Sequence, residues 1–407
     1  MRKLYCLFYL LVVALCANSQ QLTSTATIEP ITADSTGRFA SLQQLNKYWA
    51  GAQVIALGEQ THYDGATFDA KVQLIKHLHE KLGFNVLAFE SGYYECTKAN
   101  ELLATKGTDV LKEALFSVWD TKSLADLEAY ILQTQKTARP LVVTGFDFQF
   151  SGKLAATYFL PDLEAALKQL GVESLMAHIK WPPFKEAVQR QIKYSNYFKK
   201  PSPADTLLVG EITRMIIRSL DSVSLQTNNQ KLAALWKAAC RQLLYGTQHR
   251  YQDRNYRDSL MAASLLQQLT TQFTGEKIIC WNATSHFIYN PRLIDEEVWQ
   301  TFVPMGHHLY KQLGSKLYTI GFTSLQGKAG ALFKHKLKSP PANSIEYKLG
   351  AQDHAYAFID FSSHADHAAP VNSLVATRML GNKFMQMNLP NVVSGLFYIK
   401  EAYPPRY

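Results

Sequence analysis

Three ionisable residues follow two apolar runs near the start of the chain. Glu59 and His62 come just after the run 54–57, and Glu90 ends the run 84–89. Both runs have the length and composition of buried parallel strands. Ligands collect at the carboxyl ends of such strands, and a carboxylate beside an imidazole can act as a general acid–base pair. The spacing therefore predicts a site where His62 deprotonates water while Glu59 orients its ring or shares the proton.

Packing offers another interpretation of each of these residues. Glu59 could cap the next helix while His62 lies on the surface. Glu90 could form a structural ion pair with Lys71, on the helix between the two strands, because a buried carboxylate needs a partner to stay ionised. Such a pair is compatible with catalysis by Glu90.

Three later residues are candidates for the same site. His286 follows a fourth strand, Asp147 closes a third strand, and Arg257 opens a helix. Arg257 could bind an anionic group of a substrate or clamp Glu90, and Asp147 could polarise a histidine. The structural alternatives are a hydrogen-bonded core histidine, a helix cap and an ion pair at a helix end.

A metal hydrolase is an alternative built from the same residues. Glu59, His62, Glu90 and His286 could bind one cation, which would lower the pKa of a bound water molecule. The chain has no HExxH or paired CxxC motif. We therefore expect no cofactor, with a metal as the alternative.

The predicted elements place these residues on an α/β fold. The helix predicted over 67–82 joins the first two strands in a βαβ unit, which implies parallel strands. Further helices are predicted over 95–116 and 124–137. Further strands are predicted over 140–147, 277–281 and 317–322, and four strand-like runs follow at 331–337, 344–349, 355–361 and 394–400.

These elements predict a central, mostly parallel sheet flanked by helices, with a large helical insertion and a β-rich C-terminal extension. We expect a signal peptide over 1–19, an α/β catalytic core from 20–152 and 274–330, a helical insertion over 153–273, and a β-rich region over 331–407. The active cleft is expected between the core and the insertion.

The N-terminus and the composition indicate an exported globular protein. Arg2 and Lys3 precede a short apolar stretch and the small-residue pattern Ala17-Asn18-Ser19, so the mature chain is expected to begin near Gln20 in a periplasm or outside the cell. The net charge is +9 over scattered basic residues. We expect no nucleic-acid partner and no transmembrane segment in the mature chain.

Taken in order, these motifs resemble the erythromycin esterase family over roughly residues 40–325. The matching segments are 56–62, 82–90, 145–149, 257–262, 281–286, 305–306, Gly314 and 320–322. The resemblance implies hydrolysis of an ester, the named case being a macrolide lactone. It implies that His62 activates water beside Glu59, that Glu90 is the essential second glutamate, and that His286 is the last histidine of the W-x-H-N-x-H pattern.

The chain departs from the family pattern at three positions. Ala283 replaces the first histidine of that pattern, Thr284 replaces its asparagine, and Lys71 replaces an arginine. Lysine keeps the charge but loses the planar fork that holds a carboxylate. The expected function is therefore hydrolysis of a small-molecule carboxylic ester or lactone, with a macrolide lactone as one open choice of substrate and with Lys71, Arg257 and Asp147 on the substrate side. A binding protein that has lost turnover is the non-enzymatic alternative.

Overall fold

The computed structural model describes two compact units. The described residues are 27–151, 153–193, 201–223, 229–247, 253–330, 334–362 and 374–407, so the predicted signal peptide lies outside them. Unit 1 combines the described residues up to Gly83 with Thr121–Ser123 and Asn282–Tyr407, and unit 2 combines Phe84–Asp120 with Leu124–Trp281. The predicted domain boundaries stay a prediction.

Eleven strands lie in the described residues. They are β1 Ile28–Ile31, β2 Val54–Leu57, β3 Val86–Gly92, β4 Val142–Asp147, β5 Ile278–Trp281, β6 Leu317–Ala329, β7 His335–Lys336, β8 Tyr356–Asp360, β9 Val375–Leu380, β10 Lys383–Met387 and β11 Gly395–Ala402. In unit 1 the order is β1-β8-β11-β6-β2, with β7 beside β6 and a separate β9–β10 hairpin. In unit 2, β5 and β4 flank β3, and both pair with it in parallel.

Fourteen α-helices lie in the same described ranges. They are α1 Asn46–Trp49, α2 Gly65–Leu82, α3 Tyr93–Lys106, α4 Asp109–Ala114, α5 Lys122–Thr134, α6 Leu154–Gln169, α7 Trp181–Lys193, α8 Pro203–Val223, α9 Gln230–Thr247, α10 Arg254–Thr271, α11 Thr284–Phe287, α12 Glu297–Thr301, α13 Met305–Leu313 and α14 Ile345–Gly350. Helices α6 to α9 share one apolar core with α3. None of the helices in the described ranges is long and apolar enough to span a bilayer.

Helix α2 shows how the local sequence builds the element that follows the candidate residues. The side chain of Asp64 accepts a hydrogen bond from the Thr67 amide at the N-terminus, and Gly83 ends the helix with a φ of 72°. That left-handed conformation suits glycine because it has no Cβ. The apolar residues at helical spacing, Phe68, Val72, Ile75 and Leu78, are all buried.

The α/β class with a mostly parallel sheet is confirmed, and two local predictions are wrong. Residues 344–349 were expected as a strand but form α14, because the Ser344 hydroxyl accepts from the Tyr347 amide and caps a helix. The helix predicted over 95–116 is two helices. Gly107 separates α3 from α4 with a φ of 74°, a conformation that breaks α-helical geometry.

Candidate active site

The carboxyl end of β2 carries Glu59 on a tightly packed backbone. A Cβ atom on Gly58 would lie 2.3 Å from the hydroxyl oxygen of Thr284 and 2.8 Å from its Cα, so only glycine fits there. The Thr284 amide donates to the carbonyl oxygen of Glu59 over 3.0 Å. The segment after β5 is thereby held against the loop that bears Glu59.

Glu59 joins His62 to Lys71. Glu59 Oε1 lies 2.7 Å from His62 Nδ1, and Glu59 Oε2 lies 2.8 Å from Lys71 Nζ. The side chains of Glu59 and Lys71 are fully buried, whereas that of His62 is 38% exposed. Lys71 also donates to the carbonyl oxygen of Asn282 over 3.4 Å. The cluster therefore runs from a buried cation through a buried carboxylate to a partly exposed imidazole.

Electrostatics keep Glu59 ionised in this buried place. Burial is the largest single effect and would raise its pKa, but the charge of Lys71 and the hydrogen bond and charge of His62 together outweigh it. The pKa of Glu59 is therefore lowered from its ordinary value. An ionised Glu59 can only accept, so His62 Nδ1 carries the hydrogen and Nε2 is the basic nitrogen.

His286 belongs to the same unit as this cluster. It lies in α11, two residues after Thr284, whose amide is bonded to Glu59. Its side chain is half-buried. His286 follows β5 by five residues in the chain, and its role stays a prediction.

A second ionic cluster forms within unit 2. Arg257 Nη2 donates to Glu90 Oε1 over 2.8 Å and to Asp147 Oδ2 over 2.5 Å, and Nε donates to the same Asp147 oxygen over 3.2 Å. Asp147 Oδ1 accepts from the Gln149 amide over 3.1 Å. All three charged side chains are largely buried. Arg257 thus clamps Glu90, as the sequence suggested, and it clamps Asp147 as well.

The backbone of unit 2 explains why these two carboxylates face one guanidinium. Glu90 lies near the end of β3 and Asp147 ends β4, its parallel neighbour. Gly145 lets the strands approach closely, since a Cβ there would lie 2.3 Å from the Ser91 carbonyl oxygen. Arg257 reaches them from the first turn of α10, whose N-terminus is capped by Asp253.

The structure distributes the predicted residues over two clusters. Glu59, His62 and Lys71 are in contact in unit 1, and Glu90, Asp147 and Arg257 are in contact in unit 2. Lys71, which was considered as a partner of Glu90 or as a substrate-side group, forms the buried pair with Glu59. The catalytic and binding roles of all these residues stay predictions.

The contacts that support Glu59 and Lys71 are not predicted by the sequence. The Asn282 carbonyl receives Lys71, and Thr284 anchors the Glu59 backbone. Asp64 caps α2 beside the cluster, and its pKa is raised to about 6, mainly by burial. Asp64 could have been recognised as an N-cap three residues before Thr67. Asn282 could not, since it acts through its backbone.

The described residues contain no group of three or more His, Cys, Asp or Glu side chains arranged to hold a metal ion. Glu59 with His62 would supply two such ligands, and Glu90 with Asp147 would supply two more in the other unit. Both pairs already bind a buried cationic side chain. Activity with and without a chelator tests the metal alternative.

Comparisons with known proteins give a consistent set of relatives. A family model described as erythromycin esterase matches residues 79–402. The chain is 28% identical over 344 residues to the putative hydrolase YbfO of Bacillus subtilis (strain 168), covering 79% of this chain and 76% of that protein. It is 21% identical over 414 residues to erythromycin esterase type II of Escherichia coli, covering 89% of this chain and 93% of that protein.

A solved structure shares the fold. A mutant erythromycin esterase in its open conformation matches with a TM-score of 0.63 and 16% identity, covering 93% of this chain and 98% of that one. At this identity the likeness shows the architecture alone.

Proposed function

The chain belongs to the erythromycin esterase family, and on that premise we propose that it is a hydrolase that cleaves a carboxylic ester or lactone with water activated by His62. The names of the two curated relatives, a putative hydrolase and an esterase, support this class of reaction. The substrate is proposed as a small molecule, and the protein is proposed to act after export.

The proposal rests on two contacts: the buried side chain of Lys71 binds the buried side chain of Glu59, and Glu59 contacts His62. Glu59 fixes the tautomer and orientation of His62 through a 2.7 Å contact, and Lys71 holds Glu59 ionised. A carboxylate that orients an imidazole also stabilises the imidazolium formed when the ring accepts a proton. His62 is the member of this cluster that is exposed enough to meet a water molecule.

The proposed reaction uses His62 as base and then as acid. Nε2 takes a proton from water while the water oxygen bonds to the ester carbonyl carbon. The tetrahedral intermediate then expels the alkoxide, which takes the proton back from His62. General base catalysis of this kind contributes roughly 10²–10⁴-fold to the rate.

Two further roles rest on the resemblance of the sequence motifs to those of the family. The resemblance of the sequence to the family implies that Glu90, which Arg257 holds, is the essential second glutamate, and this role is part of the proposal. His286 and Arg257 are the candidates for stabilising the oxyanion. Substitution of His286 by a neutral residue tests the oxyanion role of His286 through kcat, because Arg257 cannot be neutralised without leaving Glu90 and Asp147 as buried, unpaired carboxylates.

The experiment that tests the function is a hydrolysis screen with purified protein. A panel of lactones and simple carboxylic esters is incubated with the wild type, with and without a chelator. The proposal is supported if at least one ester is hydrolysed and its hydrolysis continues in the presence of the chelator. Loss of turnover on chelation, with recovery on adding a divalent cation, would favour the metal hydrolase.

A non-catalytic binding protein is the second candidate. It is favoured by Ala283, which has no imidazole where the family pattern has its first histidine. Thermal-shift measurements over the same panel separate the two candidates. Stabilisation by esters that are never hydrolysed would support the binding protein.

A further inference from the structure

A concave site of unit 1 lies outside the candidate active site. The 3₁₀ turn Pro291–Leu293, the segment 302–303 and helix α13 line a cavity of about 510 Å³. Small-molecule sites have volumes of roughly 300–1,000 Å³, so the cavity has room for a small ligand. We call it the α13 cavity.

Every ionisable side chain that lines the α13 cavity is basic. Arg292 comes from the 3₁₀ turn, and His307 and Lys311 come from α13. His307 and Lys311 are four residues apart and therefore share one face of the helix. No aspartate or glutamate among the described residues lines the cavity.

Among the residues that the structure describes, Arg292 and Lys311 form no ion pair with an acidic side chain. Within the described ranges no carboxylate oxygen lies within 4.0 Å of the charged groups of Arg292 or Lys311, in contrast to Arg257 and Lys71, which bind buried acids. Like charges that share a concave surface repel each other and raise the local potential. An anion in the cavity would relieve that repulsion.

His307 is oriented by the backbone. Its Nδ1 lies 2.9 Å from the carbonyl oxygen of Tyr289, and because a carbonyl can only accept, Nδ1 carries the hydrogen. Nε2 is then the ring nitrogen that can face a ligand. The ring, a guanidinium and an ammonium together offer several charge-assisted hydrogen bonds.

The remaining wall gives the ligand an apolar part. Phe302 is buried, and Leu293 and Val303 are half-buried, all three lining the same cavity. Inorganic phosphate would use the three basic groups but leave this apolar wall uncovered. A small organic anion with a doubly charged head and a short apolar body fits both parts.

We propose that the α13 cavity binds a small phosphomonoester, with Arg292, His307 and Lys311 around the phosphate and Phe302 against the organic part. The proposal does not depend on ester hydrolysis at His62. The phosphomonoester would be a second ligand, bound at a different site from the ester substrate proposed for His62.

Isothermal titration calorimetry with the purified chain that begins near Gln20 tests the proposal. The probes are phenyl phosphate, inorganic phosphate and benzyl alcohol, at low ionic strength. The test variant is Arg292→Gln/Lys311→Gln. The control is Lys316→Gln/Lys336→Gln, which removes the same two charges from exposed positions outside the cavity.

Phenyl phosphate is expected to bind the wild type and the control variant alike, more tightly than inorganic phosphate, while benzyl alcohol does not bind. The test variant should bind about tenfold more weakly or worse, because a hydrogen bond to a charged group is worth at least that factor in affinity. Thermal unfolding verifies that both variants fold. Absence of phenyl phosphate binding, or equal affinity of the two variants, would overturn the proposal.

Discussion

At the scale of single residues, the proposed chemistry of His62 requires that the buried carboxylate of Glu59 stays charged. Glu59 and His62 are three residues apart in the sequence, and the loop after β2 brings their side chains within 2.7 Å. The sequence predicts Glu90 as the partner of Lys71, whereas the structure pairs Lys71 with Glu59. The partner of Lys71 is set by the rotation of α2 and by the residue at which β2 ends. The identity of residue 71 alone determines neither of these.

Substitution of Lys71 by methionine should strongly destabilise the protein. Removal of one partner of a buried ion pair leaves the other charge uncompensated, which costs about 3–5 kcal/mol. Urea unfolding measures the loss.

The control is Lys180→Met, which breaks the pair with Glu211, where both side chains are 46% exposed. An exposed pair of this kind contributes up to about 1 kcal/mol. Equal small losses in both variants would contradict the account.

At the scale of elements, the caps and close contacts around α2 position the site. Such features were only partly visible in the sequence. Gly83 and Asp64 mark the ends of α2 by residue type alone. The need for Gly58 was not visible, because the atom that excludes a side chain there belongs to Thr284, more than two hundred residues later.

Asp64→Asn should change the pH dependence of stability without removing the helix cap. The native pKa of Asp64 is about 6 against an ordinary 3.8, chiefly because the group is buried. A raised pKa means that the native state binds the proton more tightly, so this contribution to stability is complete below about pH 4. It is lost as the pH rises through 6, by up to about 3 kcal/mol.

Asparagine keeps the acceptor oxygen for the Thr67 amide and does not ionise. The free energy of unfolding of Asp64→Asn, taken relative to the wild type, should therefore increase between pH 4 and pH 7. Urea titrations at several pH values supply the comparison. A difference that stays constant over this range would show that Asp64 does not titrate as proposed.

Gly58→Ala should disturb both folding and activity. The new methyl group would meet the hydroxyl and the Cα of Thr284, and overpacking of this kind costs about 1–3 kcal/mol. A displacement of Glu59 of about 1 Å could also cost on the order of 10² in rate. Gly51→Ala is the matched control, since nothing lies within 4 Å of its added Cβ. Wild-type stability and turnover in Gly58→Ala would refute this role of the glycine.

At the scale of the whole molecule, the sequence predicted the class of fold and the family. Buried apolar runs alternating with helical periods indicated the mostly parallel sheet, and short ordered motifs indicated the erythromycin esterase family, and both are confirmed. The C-terminal part was harder. Ile345 and Leu349 in α14 are four residues apart and buried, a helical spacing that a short alternating pattern concealed.

Export is the prediction that belongs to the whole chain. Expression of the full sequence in a Gram-negative host, followed by fractionation and N-terminal sequencing, should yield a periplasmic or secreted protein that begins near Gln20. The physical reason is the basic start, the apolar stretch and the small residues at 17–19. Recovery of an unprocessed chain from the cytoplasm would contradict this prediction.

The measurement that tests the central claim most directly is kcat/KM for the best ester of the panel, compared between the wild type and His62→Ala. The matched control is His335→Ala, at an exposed position on β7. We predict that His62→Ala is still folded at the assay temperature while its kcat/KM falls by roughly 10²–10⁴-fold, and that His335→Ala matches the wild type. A folded His62→Ala protein with wild-type turnover would contradict the proposed mechanism.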